Sequence, residues 1–249
     1  MKNRINVNGL TKVFGSKIAL DNLRLDLKEG EFLAILGNNG AGKSTLIKIL
    51  SNVLEYDSGS IDYFDDSLQK VTVQEFKNKL GIVLDKSYLI DELTPVEYLS
   101  FISKFHDLAD IEFDTRIKDL INILSIESYE KPIEKLSSGN KMKVALAASL
   151  IHNPRVLFLD EPFVNLDINS VDNYIRLINS FKGKKSVIIS SHSLDLVFDV
   201  CERFLILSNG KIVNEFLRKD FNTLNELKEV VKNTIVMEAN SDDVNWLNE

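Results

Sequence analysis

The chain has 249 residues, room for one large domain or a domain with a sub-domain, and 44% hydrophobic with 27% charged residues is an ordinary globular balance. A net charge of −7 gives the chain as a whole no electrostatic reason to bind nucleic acid or an anionic membrane. The single cysteine, Cys201, excludes an internal disulfide and suits the cytoplasm, and no Cys/His cluster has metal-ligand spacing.

Along the chain, Met1-Lys2-Asn3-Arg4 is followed by alternation rather than an apolar run, so no signal peptide is expected. Ile5–Asn8 and Leu23–Leu27 alternate with the period of half-buried strands. Phe32–Leu36 is apolar throughout, as a parallel strand covered on both faces should be. From about 86 to 150 the pattern turns helical. Thr94-Pro95-Val96-Glu97 is a capping box with proline at the first helical position, followed by Leu99, Ile102, Phe105 and His106 on one face. A second helix is predicted from Asp114 through Leu124, and a third over Lys141–Ile151 after Gly139.

Beyond this the elements alternate: strand 156–159, helix 170–180, strand 186–190, helix 194–200 and strand 203–207. Asn209-Gly210 predicts a hairpin into Lys211-Ile212-Val213. A tail follows from about 216, opened by a capping box from Thr223 to Glu226. The apolar runs are strand-length and too short to cross a membrane. The basic cluster Lys182-Gly183-Lys184-Lys185 reads as a solvated loop, Cys201 as a small apolar side chain, and His106 and His152 as structural. The sum is an α/β fold: a mostly parallel phosphate-loop core, an antiparallel β layer and an inserted helical sub-domain.

Gly37-Asn38-Asn39-Gly40-Ala41-Gly42-Lys43-Ser44-Thr45 fits G-x-x-x-x-G-K-[ST], between a buried strand and an apolar helix. Its glycines let backbone N–H groups curl around phosphate oxygens, and the helix N-terminus adds its dipole. Lys43 is the residue that reaches the β- and γ-phosphates, and the Ser44 hydroxyl is a Mg²⁺ ligand. The apolar strand Val156-Leu157-Phe158-Leu159 ends in Asp160-Glu161-Pro162. Strand carboxyl ends face the ligand in open α/β sheets, which places Asp160 as a second Mg²⁺ ligand and Glu161 as a base or polarising group for an attacking water. Leu136-Ser137-Ser138-Gly139-Asn140 opens a helix with small polar residues, leaving N–H groups for an anion or for a plain cap. By themselves, Phe14 reads as a core aromatic and His192 as a cap for the helix starting near Ser193.

The phosphate loop, LSSGN, FLDEP, Asn165-Leu166-Asp167 and Ser191-His192 stand in an order and spacing that resemble the nucleotide-binding subunit of ATP-binding-cassette (ABC) proteins, over about residues 1–215. The resemblance implies that Phe14 stacks on adenine and that His192 holds the γ-phosphate, the water and Glu161. It implies that the signature residues Ser137, Ser138, Gly139 and Asn140 meet ATP held by a partner subunit, with Asp167 at the dimer seam. Four positions depart from the family. Asp85 stands where glutamine would contact Mg²⁺ and the water, Ser138 replaces glycine, Lys143 replaces arginine, and Phe163 replaces a small polar residue.

The resemblance thus implies a MgATP-hydrolysing motor subunit that dimerises head-to-tail with itself or a homologous ATPase subunit. It would drive a separate transmembrane permease from the inner face of the cell membrane. The signature style leans toward export, and the helical insertion near 86–105 would carry the groove for the permease. A soluble mechanical ABC ATPase is the alternative. The negative charge and the lack of coiled-coil arms or a second cassette weigh against it, and no nucleic-acid partner is expected. A GTPase would need N-K-x-D, which neither Asn78-Lys79 nor Asn140-Lys141 supplies. A binding module without turnover would have no use for Glu161 and His192. The predicted division is an ATPase domain over 1–215, with its helical sub-domain at 86–150, and a short extension over 216–249.

Overall fold

A computed structural model of the chain describes residues 2–67, 69–84, 88–106 and 110–239. Strands β1 (Asn3–Phe14) and β2 (Lys17–Lys28) are each longer than their alternating segments indicate, because they continue as a hairpin to the pair Phe14↔Lys17. They turn Ile5, Val7, Leu10, Leu20, Leu23, Leu25 and Leu27 inward. With β3 (Phe32–Leu36) belonging to a second sheet, β4 (Ser58–Phe64) and β5 (Lys70–Val71) complete the first as an antiparallel layer of order β2-β1-β4-β5.

The second sheet contains β3, β6 (Leu80–Val83), β7 (Val156–Asp160), β8 (Ser186–Ser191), β9 (Arg203–Ser208) and β10 (Lys211–Leu217), in the order β10-β9-β3-β8-β7-β6. Strands β9, β3, β8, β7 and β6 run parallel, and β10 returns antiparallel through Asn209 (φ 46°) and Gly210 (φ 77°), both left-handed as an Asn-Gly hairpin requires. Strand β3 is buried on both faces. Leu33 and Ile35 look toward the antiparallel layer, packing with Leu46, Ile47 and Leu50 of helix α1 (Lys43–Leu50). Phe32, Ala34 and Leu36 look toward a second core shared with the other helices.

After the short α2 (Val73–Lys77), helix α3 (Pro95–Ser103) carries the capping box: Thr94 Oγ1 accepts the Glu97 N–H at 3.2 Å and Glu97 Oε2 accepts the Thr94 N–H at 2.8 Å. Helix α4 (Asp110–Ile123) starts one turn earlier than Asp114. Helix α5 (Ser138–Leu150) starts before Lys141, because Ser137 caps it by accepting the Asn140 N–H at 3.2 Å. Helix α6 (Ile168–Asn179) is capped by Asp167, and α7 (Leu194–Val197) is shorter than predicted. In the tail, α8 (Leu224–Ala239) docks by Leu227, which is fully buried in the helix-side core. Thr223 accepts the Glu226 N–H there, while the Glu226 carboxylate reaches back to the N–H of Asn222 rather than that of Thr223.

The histidines read as structural lie together. His106 and His152 stack with ring centroids 3.9 Å apart, and His152 Nε2 sits 3.2 Å from the Leu80 carbonyl. Burial, with the charge of His106 beside it, pushes the His152 imidazole down to about 4. Cys201 is buried, which pushes its thiol up. Among the described residues, no helix is long and apolar enough to cross a membrane.

Away from the strand ends that carry the phosphate loop and the carboxylate pair, Arg203 ties four segments together. It is only 2% exposed, donates to Glu31 Oε1 at 3.0 Å and to the Asp26 carbonyl at 2.8 Å, and lies 3.3 Å from Glu215. Glu31 is itself buried, so removing the guanidinium strands a carboxylate. Arg203→Met is expected to cost about 3 kcal/mol, lowering Tm by roughly 6–12 °C in a chain of this size. Adding Glu31→Met should recover part of that loss. A single variant that melts like the parent would show that the network contributes no net stability.

Candidate functional site

The parallel pairing sets the site. Leu36 pairs with Ser191, and Asp160 pairs with Ser190, so β3, β7 and β8 end at one level. The loop 37–42 leaves β3 at that level and delivers α1. Gly42 (φ 112°) caps α1, and a Cβ there would fall 2.6 Å from the Ala19 carbonyl, so only glycine fits. Lys43 is 5% exposed, with its side chain curled back over the loop. Its Nζ donates to Gly37 O at 2.8 Å and Asn38 O at 3.3 Å, and lies 3.3 Å from Glu161 Oε1. The ammonium is therefore already braced by two carbonyls and a carboxylate, rather than pointing freely into an open loop.

Two cavities flank this point. One, of about 270 Å³, is lined by Asn39, Gly40, Gly42, Lys43, Ser44 and Thr45 of the loop and by Phe14, Lys17 and Glu161. Phe14 is 48% exposed with Lys12 Nζ 5.4 Å from its ring centroid, which removes the core reading of this aromatic. Asn38 and Ala41 line an adjoining space with Lys17 and Asn209, while Gly37 enters through its backbone carbonyl. The other cavity, of about 420 Å³, is bounded by Asn39, Ser44, Asp160, Glu161, Asn165 and His192.

Asp160 and Glu161 are held by a residue that the sequence analysis did not single out. Ser190 Oγ donates to Asp160 Oδ1 and accepts the Glu161 N–H at 2.9 Å, while the Ser190 carbonyl accepts the same N–H at 3.2 Å. The available signal was the switch from Val187-Ile188-Ile189 to Ser190-Ser191, polar residues closing an apolar buried strand. Glu161 itself adopts φ 47°, a left-handed conformation that a glutamate holds only under local constraint. Its Oε2 faces His192, 2.9 Å from Nδ1 and 3.3 Å from the backbone nitrogen. A carboxylate only accepts, so Nδ1 carries the proton. His192 is exposed, and Ser193 caps α7 without a side-chain bond, so the capping reading of His192 does not hold.

Ser44 and Asp160 share the 420 Å³ cavity and offer a hydroxyl and a carboxylate, hard oxygen donors that suit Mg²⁺. Among the described residues no group of three or more His, Cys, Asp or Glu could hold a metal alone, so such an ion would take its remaining ligands from phosphate and water. Asp85 lies outside the described residues.

The signature residues are elsewhere on the surface. Ser137, Ser138, Gly139 and Asn140 line neither cavity. Ser137 caps α5, and Asn140 Oδ1 accepts the Glu127 N–H at 3.1 Å. Gly139 passes so close to the Asn165 carbonyl that a Cβ would meet it at 2.8 Å. Asp167 caps α6, accepting from Ser170 N–H at 3.0 Å and Oγ at 2.6 Å, and these bonds hold its carboxyl below the usual range. Within one chain, then, the phosphate loop, Asp160, Glu161 and His192 converge, and the signature loop touches this site through the approach of Gly139 to Asn165.

A protein-family profile described as "ABC transporter" matches residues 20–164. An uncharacterised ABC transporter ATP-binding protein of Methanocaldococcus jannaschii is 35% identical over 216 residues, 86% of this chain and 78% of the relative. The energy-coupling factor transporter ATP-binding protein EcfA2 of Clostridium tetani is 34% identical over 223 residues, 84% of this chain and 77% of the relative. Among solved structures, a dimeric post-hydrolysis state of an ATP-binding cassette bound to ADP and Pi superposes with a TM-score of 0.78. It is 25% identical, covering 87% of this chain and all of that one. The α/β phosphate-loop fold and the motif set agree with these likenesses, and the chain belongs to the ABC transporter family as an ATP-binding subunit and ATPase.

Proposed function

We propose that the chain hydrolyses MgATP as a head-to-tail dimer and so drives solute movement through a separate membrane permease, to which it attaches at the inner face of the membrane. The observation that carries this reading is the Glu161 carboxylate, shared between Lys43 on one oxygen and His192 on the other. In the proposed cycle, ATP lies along the loop 37–45 with adenine on Phe14 and the β- and γ-phosphates on Lys43. Phosphate oxygens then take the ammonium from Glu161, and the freed Oε1 turns to the attacking water. His192 holds the other oxygen through Nδ1 and stands beside the γ-phosphate. Ser44 and Asp160 would hold Mg²⁺, which neutralises charge developing on the phosphates. Ser137, Ser138, Gly139 and Asn140 would meet the nucleotide of the second subunit, with Asp167 beside the seam. In this reading 1–215 is the ATPase domain, with its helical sub-domain at 86–150 meeting the permease near 86–105, and 216–249 is an extension.

The dimer is supported by the dimeric cassette that the fold resembles, and by the signature residues 137–140 not being among the residues that line either cavity. The permease is supported by relatives named as import or transporter ATP-binding proteins. Relatives named for methionine import weigh against reading export from the signature alone, so the proposal is of ATP-driven solute movement in general.

Phe14→Ala is expected to weaken ATP affinity by about 1 kcal/mol, near fivefold, with kcat nearly unchanged, since stacking binds ground and transition states alike. Nucleotide titration followed by steady-state rates separates the two. Ser190→Ala loses the group that sets both Asp160 and Glu161 and should lower kcat about tenfold or more, with a smaller effect on ATP binding; an unchanged kcat would leave Ser190 a packing residue. Glu161→Gln should bind ATP, lose about 10²–10⁴-fold in turnover, and accumulate as an ATP-bound dimer in size-exclusion chromatography with light scattering. Adding Ser137→Arg should return it to monomer. Glu161→Gln protein that hydrolyses ATP at the parent rate would overturn the catalytic assignment. Tight ATP binding without a dimer would overturn the self-sufficient homodimer.

A further inference from the structure

The segment after His192 is gripped by the C-terminal extension at two places. At its start, Asp195, in the first turn of α7, receives Lys228 Nζ of α8 at 2.6 Å. At its end, Arg218 donates to the Phe198 carbonyl at 3.0 Å and lays its guanidinium 3.7 Å above the Phe198 ring. The same arginine stands 3.7 Å from Asp199 and donates to the Phe221 carbonyl at 2.8 Å, fixing its own segment. Between the grips, Leu227 is fully buried in the helix-side core, and Val231 packs against that core. An open cavity of about 600 Å³ has Asn38, His192 and Asp195 on one wall and Lys228, Val231 and Lys232 on the other. Helix α8 therefore reaches the rim of the phosphate loop as well as the histidine.

We infer that the C-terminal extension is a brace that positions His192 for hydrolysis, with Lys228 as its positioning residue. The Lys228–Asp195 pair is half exposed at both ends, so its contribution to stability is small. Leu227 holds α8 on the core, and the ion pair decides how the first turn of α7 sits, three residues from the histidine. Among the described residues, His192 hydrogen-bonds to Glu161 through its ring and its backbone nitrogen. The histidine sits in a tight turn closed at 3.0 Å between Ser191 Oγ and the Ser193 backbone, and this turn leads directly into α7. A shift of α7 is thus transmitted to the imidazole, and from there to Glu161. This inference rests on the reading of His192 as the residue that holds Glu161 and the γ-phosphate.

The test is phosphate release against ATP concentration for the full chain, with thermal melts alongside, in five forms: parent, Lys228→Ala, Lys228→Arg, His192→Ala and the double variant His192→Ala/Lys228→Ala. The expected result is a kcat loss of about fivefold for Lys228→Ala, with KM and Tm unchanged and Lys228→Arg close to the parent. In the His192→Ala background, where residual turnover is followed over hours, Lys228→Ala should add nothing, because its effect passes through the histidine. A parent-like kcat in Lys228→Ala would overturn the brace while leaving the role of His192 intact. So would an equal loss with and without His192, or a loss that follows Tm. A parent-like His192→Ala would instead overturn the reading of His192, and the brace with it.

Discussion

In a parallel sheet the strands end on one edge, and everything at this site depends on where three of them stop. Register sets Leu36 beside Ser191 and, one residue lower, aligns Ile35, Ser190 and Asp160. Past that edge the chain emits a phosphate loop from β3, a carboxylate pair from β7 and a histidine from β8. A slip of one residue in any strand would turn its alternate side chains to the other core and carry its terminal group out of reach. The two cores prevent this. Leu33 and Ile35 belong to one and Phe32, Ala34 and Leu36 to the other, so β3 has no face that tolerates a slip.

Charge at the edge is balanced by sharing. Lys43 brings one cation to a place where Glu161 and two loop carbonyls wait. His192 takes the remaining carboxylate oxygen. Glu161 can stand there only with φ 47°, and the strain is offset by two hydrogen bonds from its N–H to Ser190. The arrangement holds the carboxylate in one orientation, between a lysine and a histidine. It also means that the lysine has a second partner ready to exchange for phosphate oxygens.

Much of this was legible in the residues. The loop 37–45, the apolar β7 closing on Asp160-Glu161 and the Asn209-Gly210 hairpin each follow local rules, because the chemistry and the turn depend on neighbours in sequence. What was not legible depends on partners far along the chain. Ser190 is one of two adjacent serines until β7 pairs beside it and brings Asp160 and Glu161 to its hydroxyl. Phe14 could not be told from a core aromatic until the β1–β2 hairpin carried it past the edge of the layer. Helix starts were misplaced by about one turn where a cap sits outside the apolar pattern, as Ser137 does before α5. The role of the tail was invisible because Lys228 and Asp195 are 33 residues apart and neither stands out alone.

Three of the departures from the family pattern are absorbed by the same packing. Ser138 occupies the first residue of α5, beside Ser137 as the cap, and the place that will not take a Cβ is the next one, Gly139, against the Asn165 carbonyl. Substituting the first glycine of the signature therefore leaves the steric constraint on the second. Lys143 is buried and finds the Ser125 carbonyl at 3.0 Å, a single directed bond in place of the fork an arginine would bring. Phe163 is buried edge-on to Tyr174 at 5.5 Å and so joins the core beneath α6. Its neighbourhood includes Asn165, in a left-handed turn at φ 65°, and Asp167, the cap of α6. The start of α5 and the start of α6 are thus packed on one short segment, 163–167.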